Sequence, residues 1–229
     1  MLFTPFDHIV RKPKQRPRRI LVTGSAGYIG TSLIEQARRS NIVTRSIDIT
    51  AGRPICSLKK EDFSDVNQVI HLASIVGTPA CEKNSSEARK VNLEGTMHLV
   101  HVAGNIPIYY ANTNIGYPKG ESDETAELIP QGIYSQTKIE AEKIILEHGG
   151  ISLRLASVCG VSPKMRDDLL LNFLVKEAMT KEELEVFDLD SMRNFIYLQD
   201  VAHAFLNGPF FLKEGEAYNL ANPEHLSKR

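Results

Sequence analysis

The run Ile20-Leu21-Val22-Thr23-Gly24-Ser25-Ala26-Gly27-Tyr28-Ile29-Gly30 decides the architecture of this chain. Its first four residues have no polar alternation, which is the pattern of a strand covered on both faces. The strand passes directly into glycines at 24, 27 and 30 and then into a helical pattern over 29–39, with Ile29, Leu33, Ile34 and Ala37 on one face. Glycines at this spacing allow the tight turn, the close approach of backbone to a pyrophosphate, and the packing of helix on strand. The pyrophosphate would lie at the helix N-terminus, where free N–H groups and the dipole favour negative charge. The next strand, over 42–47, ends at Asp48, which stands 18 residues after Gly30. A carboxylate there hydrogen-bonds the ribose hydroxyls of NAD and repels the 2′-phosphate of NADP. Arg45 and Arg53 stand close enough in sequence to leave room for NADP.

Outward from this loop the pattern repeats. Short apolar runs at 69–73, 106–111 and 151–158 read as strands, and 86–103 and 134–148 as helices. Gly104-Asn105 and Gly149-Gly150 supply helix stops. Strict alternation of this kind implies an α/β fold, a doubly wound parallel sheet with helices on both faces. After Gly160 the alternation breaks. Residues 161–194 hold one amphipathic stretch (Leu169, Leu170, Phe173, Leu174) and a charged Lys181-Glu182-Glu183 loop. A helix over 200–206 and a strand over 217–220 then resume the earlier style. The expected organisation is a basic leader over 1–18, a nucleotide-binding domain over 19–160, a substrate-lid insertion over 161–194, and a last helix and strand within 195–229.

Composition excludes several classes. The 229 residues are 42% hydrophobic and 24% charged, with formal net charge −1. That is an ordinary globular balance, not a surface built for nucleic acid. No apolar run approaches the length of a membrane span. The six basic residues between Arg11 and Arg19 read as a solvated leader; binding of nucleic acid through them is a distant alternative. Cys56, Cys81 and Cys159 are odd in number and without CxxC spacing, so neither a disulfide framework nor a metal site is expected, and a reducing cytoplasm fits.

The chemistry concentrates in Tyr134-Ser135-Gln136-Thr137-Lys138, which sets a phenol and an ammonium one helical turn apart. An ordinary tyrosine, with a pKa near 10, is a poor base at neutral pH, and a neighbouring cation favours its phenolate. Thr113, just past the strand expected at 106–111, could hold the same substrate hydroxyl while a hydride leaves the carbon.

These residues resemble the extended short-chain dehydrogenase/reductase family, the NAD-dependent nucleotide-sugar epimerases and dehydratases. The matching pieces are TGSAGYIG (23–30), Asp48, HLAS (71–74), NLEGT (92–96), YYANTNIGYP (109–118), YSQTK (134–138), RLASVCG (154–160), RNFIYLQDVAHAF (193–205) and YNLAN (218–222). The resemblance implies a Rossmann sheet, NAD as cofactor and a nucleotide-sugar substrate. It places Gly24, Gly27, Tyr28, Ile29 and Gly30 along the pyrophosphate, Asp48 on the adenosine ribose, Asp62 and Phe63 at the adenine, and Leu72, Ala73 and Ser74 along the dinucleotide. Asn92 supports the site from a helix. Tyr134 is the implied acid/base, Lys138 binds the nicotinamide ribose and lowers the tyrosine pKa, and Thr113 orients the sugar hydroxyl. Asn114, Ser157 and Arg193 complete the implied substrate contacts, Arg193 on the diphosphate.

Dehydratases of the family carry an Asp-Glu pair straight after the catalytic threonine. Here Asn114 and Ile115 stand there, and an isoleucine moves no proton, so dehydration is disfavoured. The nearest resemblance is to C4 epimerases and dehydrogenases linked to surface polysaccharides. The expected reaction is hydride transfer at a ring carbon, C4. A non-catalytic NAD-binding sensor or scaffold, or a truncated inactive form, is the alternative, because family members usually continue beyond the YNLAN strand and the lid is then shortened. A homodimer through the helices at 86–103 and 134–148 is also expected from the family.

Overall fold

The computed structural model describes residues 18–118 and 120–227. The leader lies outside them except for Arg18, whose guanidinium donates to Gln68 Oε1 at 2.5 Å and lies over the Phe210 ring. Strands β1 (Arg19–Thr23), β2 (Val43–Ile47), β3 (Gln68–His71), β4 (Ile108–Thr113), β5 (Ile151–Leu155) and β8 (Ala217–Leu220) form one six-stranded sheet in the order β2-β1-β3-β4-β5-β8. Every pairing in it is parallel. The strand order reverses between β1 and β3, and a crevice opens there at the carboxyl ends.

Side-chain alternation along β1 builds two cores. Ile20 and Val22 face Leu33 and Ala37 of α1 (Tyr28–Arg39) and Val201 and Phe205 of α7 (Leu198–Asn207). Leu21 faces the other way, with Ile47, Ile108, Tyr110, Leu99 of α4 (Gly95–Ala103) and Ile145 of α5 (Ile133–Glu147). Strands β3 and β5 are buried along their whole length, as a sheet covered on both faces requires. The doubly wound parallel Rossmann sheet is therefore the architecture of this chain.

Several boundaries differ from those expected. The strand read as continuous over 151–158 is two strands in two sheets. Ala156 N–H donates to Leu220 O as the last tie to β8, and β6 (Ser157–Cys159) then pairs in parallel with β7 (Arg193–Tyr197). β7 also pairs antiparallel with β9 (His225–Leu226). Residues 151–159 are strand-forming throughout, so nothing local marks the change of partner. The helix expected over 86–103 is broken into α3 (Ser85–Arg89), a π-helical turn (Lys90–Glu94) and α4. A short helix α2 (Thr78–Lys83), too short to show a period, precedes them. Thr113 is the last residue of β4, not a residue beyond it. Helix α6 (Leu170–Thr180) stands after β6, with no residue fully buried. Among the described residues no helix is long and apolar enough to cross a membrane.

Candidate active site

The glycine loop joins β1 to α1 at the crevice. Gly24 has φ +69°, and a Cβ on it would stand 2.7 Å from Ala73 N, so the backbones of the β1 and β3 ends meet where no side chain fits. A Cβ on Gly30 would stand 2.8 Å from Ser25 Cα, which is the helix-on-strand packing that the spacing anticipates. Gly27 differs: only Gly24 O lies within 4 Å of its Cβ position, at 3.2 Å. Gly27 caps α1 without any side-chain hydrogen bond. The first-turn N–H groups are thus left for an anion. The Tyr28 side chain points away from this cradle and donates its hydroxyl to Gly160 O at 2.7 Å, leaving its backbone to the loop. Ile29 packs against the α1 core.

Asp48 terminates β2 beside this loop. Its carboxylate accepts from Ala26 N at 2.9 Å, Thr50 N at 2.9 Å and Thr50 Oγ1 at 2.8 Å. Burial raises its pKa, but the hydrogen bonds from Thr50 and Ala26 outweigh burial and hold it below the ordinary value. Three of about four acceptor directions are used, leaving one for a ribose hydroxyl. Asp62 lies on a 3₁₀ turn, ion-paired to Arg53. The Phe63 ring sits in the core beside Leu21 and Ile47.

Beyond β3, Leu72 N donates to Thr23 O at 3.1 Å and Ala73 N to Thr23 Oγ1 at 3.2 Å, tying this edge of the crevice to β1. Asn92, 1% exposed in the π-helical turn, holds the next residues. Its Oδ1 accepts from Ile75 N at 2.7 Å and Ser74 Oγ at 3.0 Å. Its Nδ2 donates to Ile75 O at 3.0 Å and Thr137 Oγ1 at 3.2 Å. The asparagine thereby joins the cofactor edge to α5, and π turns recur at such places. The implied support from a helix has a definite geometry, with α5 as its far anchor.

Helix α5 carries Tyr134 and Lys138. Tyr134 lies close enough to Thr113 for the threonine hydroxyl to favour its phenolate, while Thr113 Oγ1 accepts from Ile115 N at 3.2 Å. Lys138 is 4% exposed; its Nζ donates to Ala111 O at 2.6 Å and lies 3.9 Å from the centre of the Tyr110 ring. Burial pulls the Lys138 pKa down to about 7. Burial and the nearby Cys81 thiol push Tyr134 up to about 12, and the charge that pulls it back is Arg166, with the Thr113 hydroxyl assisting. The ammonium is turned into the strand, and Arg166, ahead of α6, is the cation that acts on Tyr134.

Beneath them lies a buried polar layer that sequence reasoning missed, in which both charges are partnered although Asn112 Oδ1 is not. Glu142, one turn beyond Lys138, accepts from Asn112 Nδ2 and Ser152 Oγ, both at 2.6 Å, and from Arg154 Nη2 at 2.7 Å. Arg154 Nη1 also donates to Tyr117 Oη at 2.7 Å and Glu124 O at 3.0 Å, which fixes the loop after Thr113. His71 is buried between Thr23 and Thr96, and burial lowers its pKa to about 3. Thr96 Oγ1 donates to Asn92 O, so it accepts from His71 Nε2–H, which sets the tautomer. The i, i+4, i+8 spacing of Tyr134, Lys138 and Glu142 could have pointed to Glu142.

The implied substrate residues are less gathered. Asn114 N donates to Leu155 O at 3.1 Å, holding the loop against β5. Ser157 opens β6 opposite Phe195. Arg193 is exposed at the start of β7, paired with Leu226 in the ladder. No described hydrogen bond or ion pair joins its side chain to Thr113, Tyr134 or Lys138.

Comparison with known proteins gives the family. The model of the NAD dependent epimerase/dehydratase family matches residues 20–221. YtcB of Bacillus subtilis (strain 168), described as an uncharacterized UDP-glucose epimerase, is 26% identical over 253 residues, covering 91% of this chain and 78% of its own. UDP-glucuronic acid decarboxylase 4 of Arabidopsis thaliana is 23% identical over 246 residues, covering 92% of this chain and 55% of its own. The chain thus spans about half to three quarters of these relatives. The structure of MoeE5 in complex with UDP-glucose and NAD superposes with TM-score 0.80 at 23% identity, covering 91% of this chain and 78% of the other; at that identity the likeness concerns the fold. The chain belongs to the NAD dependent epimerase/dehydratase family, within the extended short-chain dehydrogenases/reductases.

Proposed function

We propose that this family member binds NAD across the crevice at β1 and β3 and interconverts a nucleotide-diphosphate sugar by hydride transfer at a ring carbon, C4, as an epimerase or a dehydrogenase. The single observation that carries the reading is the placing of Tyr134 and the buried Lys138 one turn apart on α5, with Lys138 Nζ on Ala111 O of β4, the strand that ends at Thr113. The residues present fit the cofactor: an open Gly27, an uncapped helix end, and an Asp48 carboxylate with one acceptor direction free. NAD, when bound, supplies the hydride acceptor and donor. The chain's own groups do the rest.

Tyr134, with its pKa near 12, is protonated at neutral pH and stands ready to give its proton to the oxygen of a keto sugar. In the opposite direction the phenolate takes the proton of the sugar hydroxyl, and Arg166 favours that anion. Thr113 orients the same oxygen. An apolar cavity of about 540 Å³ opens beside β6 and α6, lined by Cys159, Gly160, Asn172, Val175, Met179 and Tyr197, and has the size of a ligand site. Asn114 and Ile115 offer no acid/base pair for dehydration. Self-pairing through α4 and α5 is part of the same reading, supported by Met97, 52% exposed on α4.

The test is to supply purified protein with NAD and a panel of UDP-, GDP-, CDP- and dTDP-sugars, following nicotinamide absorbance and product NMR. Net reduction with one sugar names a dehydrogenase. Inversion at C4 without net reduction names an epimerase. Dinucleotide binding with every sugar returned unchanged would overturn the catalytic reading.

A further inference from the structure

Two arginines flank Asp48, and neither faces it. The backbone N–H of Arg53 donates to Asp48 O at 3.1 Å, which sets the arginine beside the ribose-binding carboxylate. Its guanidinium nevertheless turns to the carboxylate of Asp62. Arg45, two residues before the end of β2, donates to the backbone carbonyl of the same Asp62. The other Asp62 oxygen accepts the Lys59 N–H at 2.8 Å, which fixes the carboxylate on its 3₁₀ turn. One acidic residue therefore gathers both cations at this end of the crevice.

Resting on the dinucleotide reading above, we propose that Asp62 is a second determinant of cofactor choice, its carboxylate holding Arg53 away from the space beside Asp48 that the 2′-phosphate of NADP would enter, while Arg45 stays on the backbone carbonyl of the same residue. Asp48 repels that phosphate directly. Asp62 acts by removing its counter-charge. A guanidinium pairs bidentately with phosphate as well as with carboxylate, so a released Arg53 is a ready phosphate ligand. With Asp62 in place, Arg45 and Arg53 are balanced by Asp48 and Asp62, and a phosphate meets no free cation among these four. Choice between two cofactors is a difference of affinities, and withholding a partner from one of them is sufficient to create it. The ion pair is also easy to release: the Arg53 and Asp62 side chains are 41% and 21% exposed, and exposed pairs of this kind add little to stability.

Calorimetric titration of the full chain with NAD⁺ and with NADP⁺ tests this, read as the ratio of the two Kd values. Both cofactors carry the same adenine, so any contact of Asp62 with the base cancels in the ratio. Asp62→Asn keeps an acceptor for Lys59 N–H and removes the charge that holds Arg53. It is expected to shift the ratio toward NADP⁺ by about fivefold, the ceiling that so weak a competing ion pair sets. Arg53→Ala in the same background should return the ratio to the wild-type value, whereas Arg53→Ala alone should leave it there. Asp62→Ser repeats the test if the asparagine variant melts early. An unmoved ratio in an Asp62 variant that binds NAD⁺ overturns the proposal and leaves the dinucleotide reading standing. Failure of the wild-type protein to bind either dinucleotide overturns both.

Discussion

Two arginine–carboxylate clusters sit in this sheet and obey different physics. Arg154 and Glu142 lie at its centre, 8% and 4% exposed, with hydrogen bonds to Asn112, Ser152, Tyr117 and Glu124 O. Arg53 and Asp62 lie at its edge, half open to solvent. The buried cluster is closed: each charge has its partners, and removing one strands the others in a low dielectric. The open cluster is exchangeable: water or an arriving anion can take either partner's place. One therefore ties α5 to β4 and β5, and the other can exchange its partners with solvent.

The largest effect should come from opening the closed cluster. Glu142→Ala is expected to destabilise the fold by about 3–5 kcal/mol, because Arg154 is left buried without its counter-charge. At this chain length that lowers the melting temperature by roughly 10 °C. A melting curve that moves by a degree or two would erase the distinction between the clusters.

Tyr134→Phe leaves both clusters intact and removes only the phenol hydroxyl. Turnover should fall by about 10²-fold or more while calorimetry still records NAD binding. Unchanged turnover would remove Tyr134 from its role.

The closed layer should also declare itself through pH. His71 is held neutral, its pKa lowered to about 3 by burial, whereas an unfolded histidine titrates near 6.5. Between those values the unfolded chain binds more protons, so this residue makes stability fall as pH drops below 6.5. The slope for one such group approaches about 1.4 kcal/mol per pH unit. Urea denaturation between pH 8 and 5 measures it, and His71→Asn should flatten it. A wild-type profile without that slope would mean that His71 titrates freely.

The smallest effect on stability should come from the open cluster. Asp62→Ala should cost about 1 kcal/mol or less, measured in the same urea experiment. A loss of several kcal/mol would make Asp62 a second structural centre instead of a selector.

Most of the sheet was legible because its signals are local. An apolar run of four residues, glycines at fixed offsets and a helical stripe each express themselves over a few residues, and Gly24, Gly27 and Gly30 occupy the places that their spacing implies. Thr113, Tyr134 and Lys138 were legible for the same reason, two of them by helical period. The change of sheet at Ala156 was not, since residues on both sides of it favour strands and only the partner differs. Nor was the π turn around Asn92, where one residue's four hydrogen bonds to the 74–75 segment and to α5 interrupt an otherwise regular helical pattern.

The sequence by itself determined the alternation of the main strands and helices, the parallel sheet, the close-packed glycine turn between β1 and α1, and the placing of Tyr134 and Lys138 one turn apart. Each of these follows from backbone sterics, periodicity or residue chemistry at short range. Only the tertiary structure decided which charges meet. Lys138 turned to Ala111 O, Arg166 came to act on Tyr134, Glu142 was enclosed by β4 and β5, and Asp62 drew two arginines from beside Asp48. Electrostatic partnership depends on distance and burial in the folded chain, and residues such as Arg154 and Glu142 acquire both only when strands and helices pack.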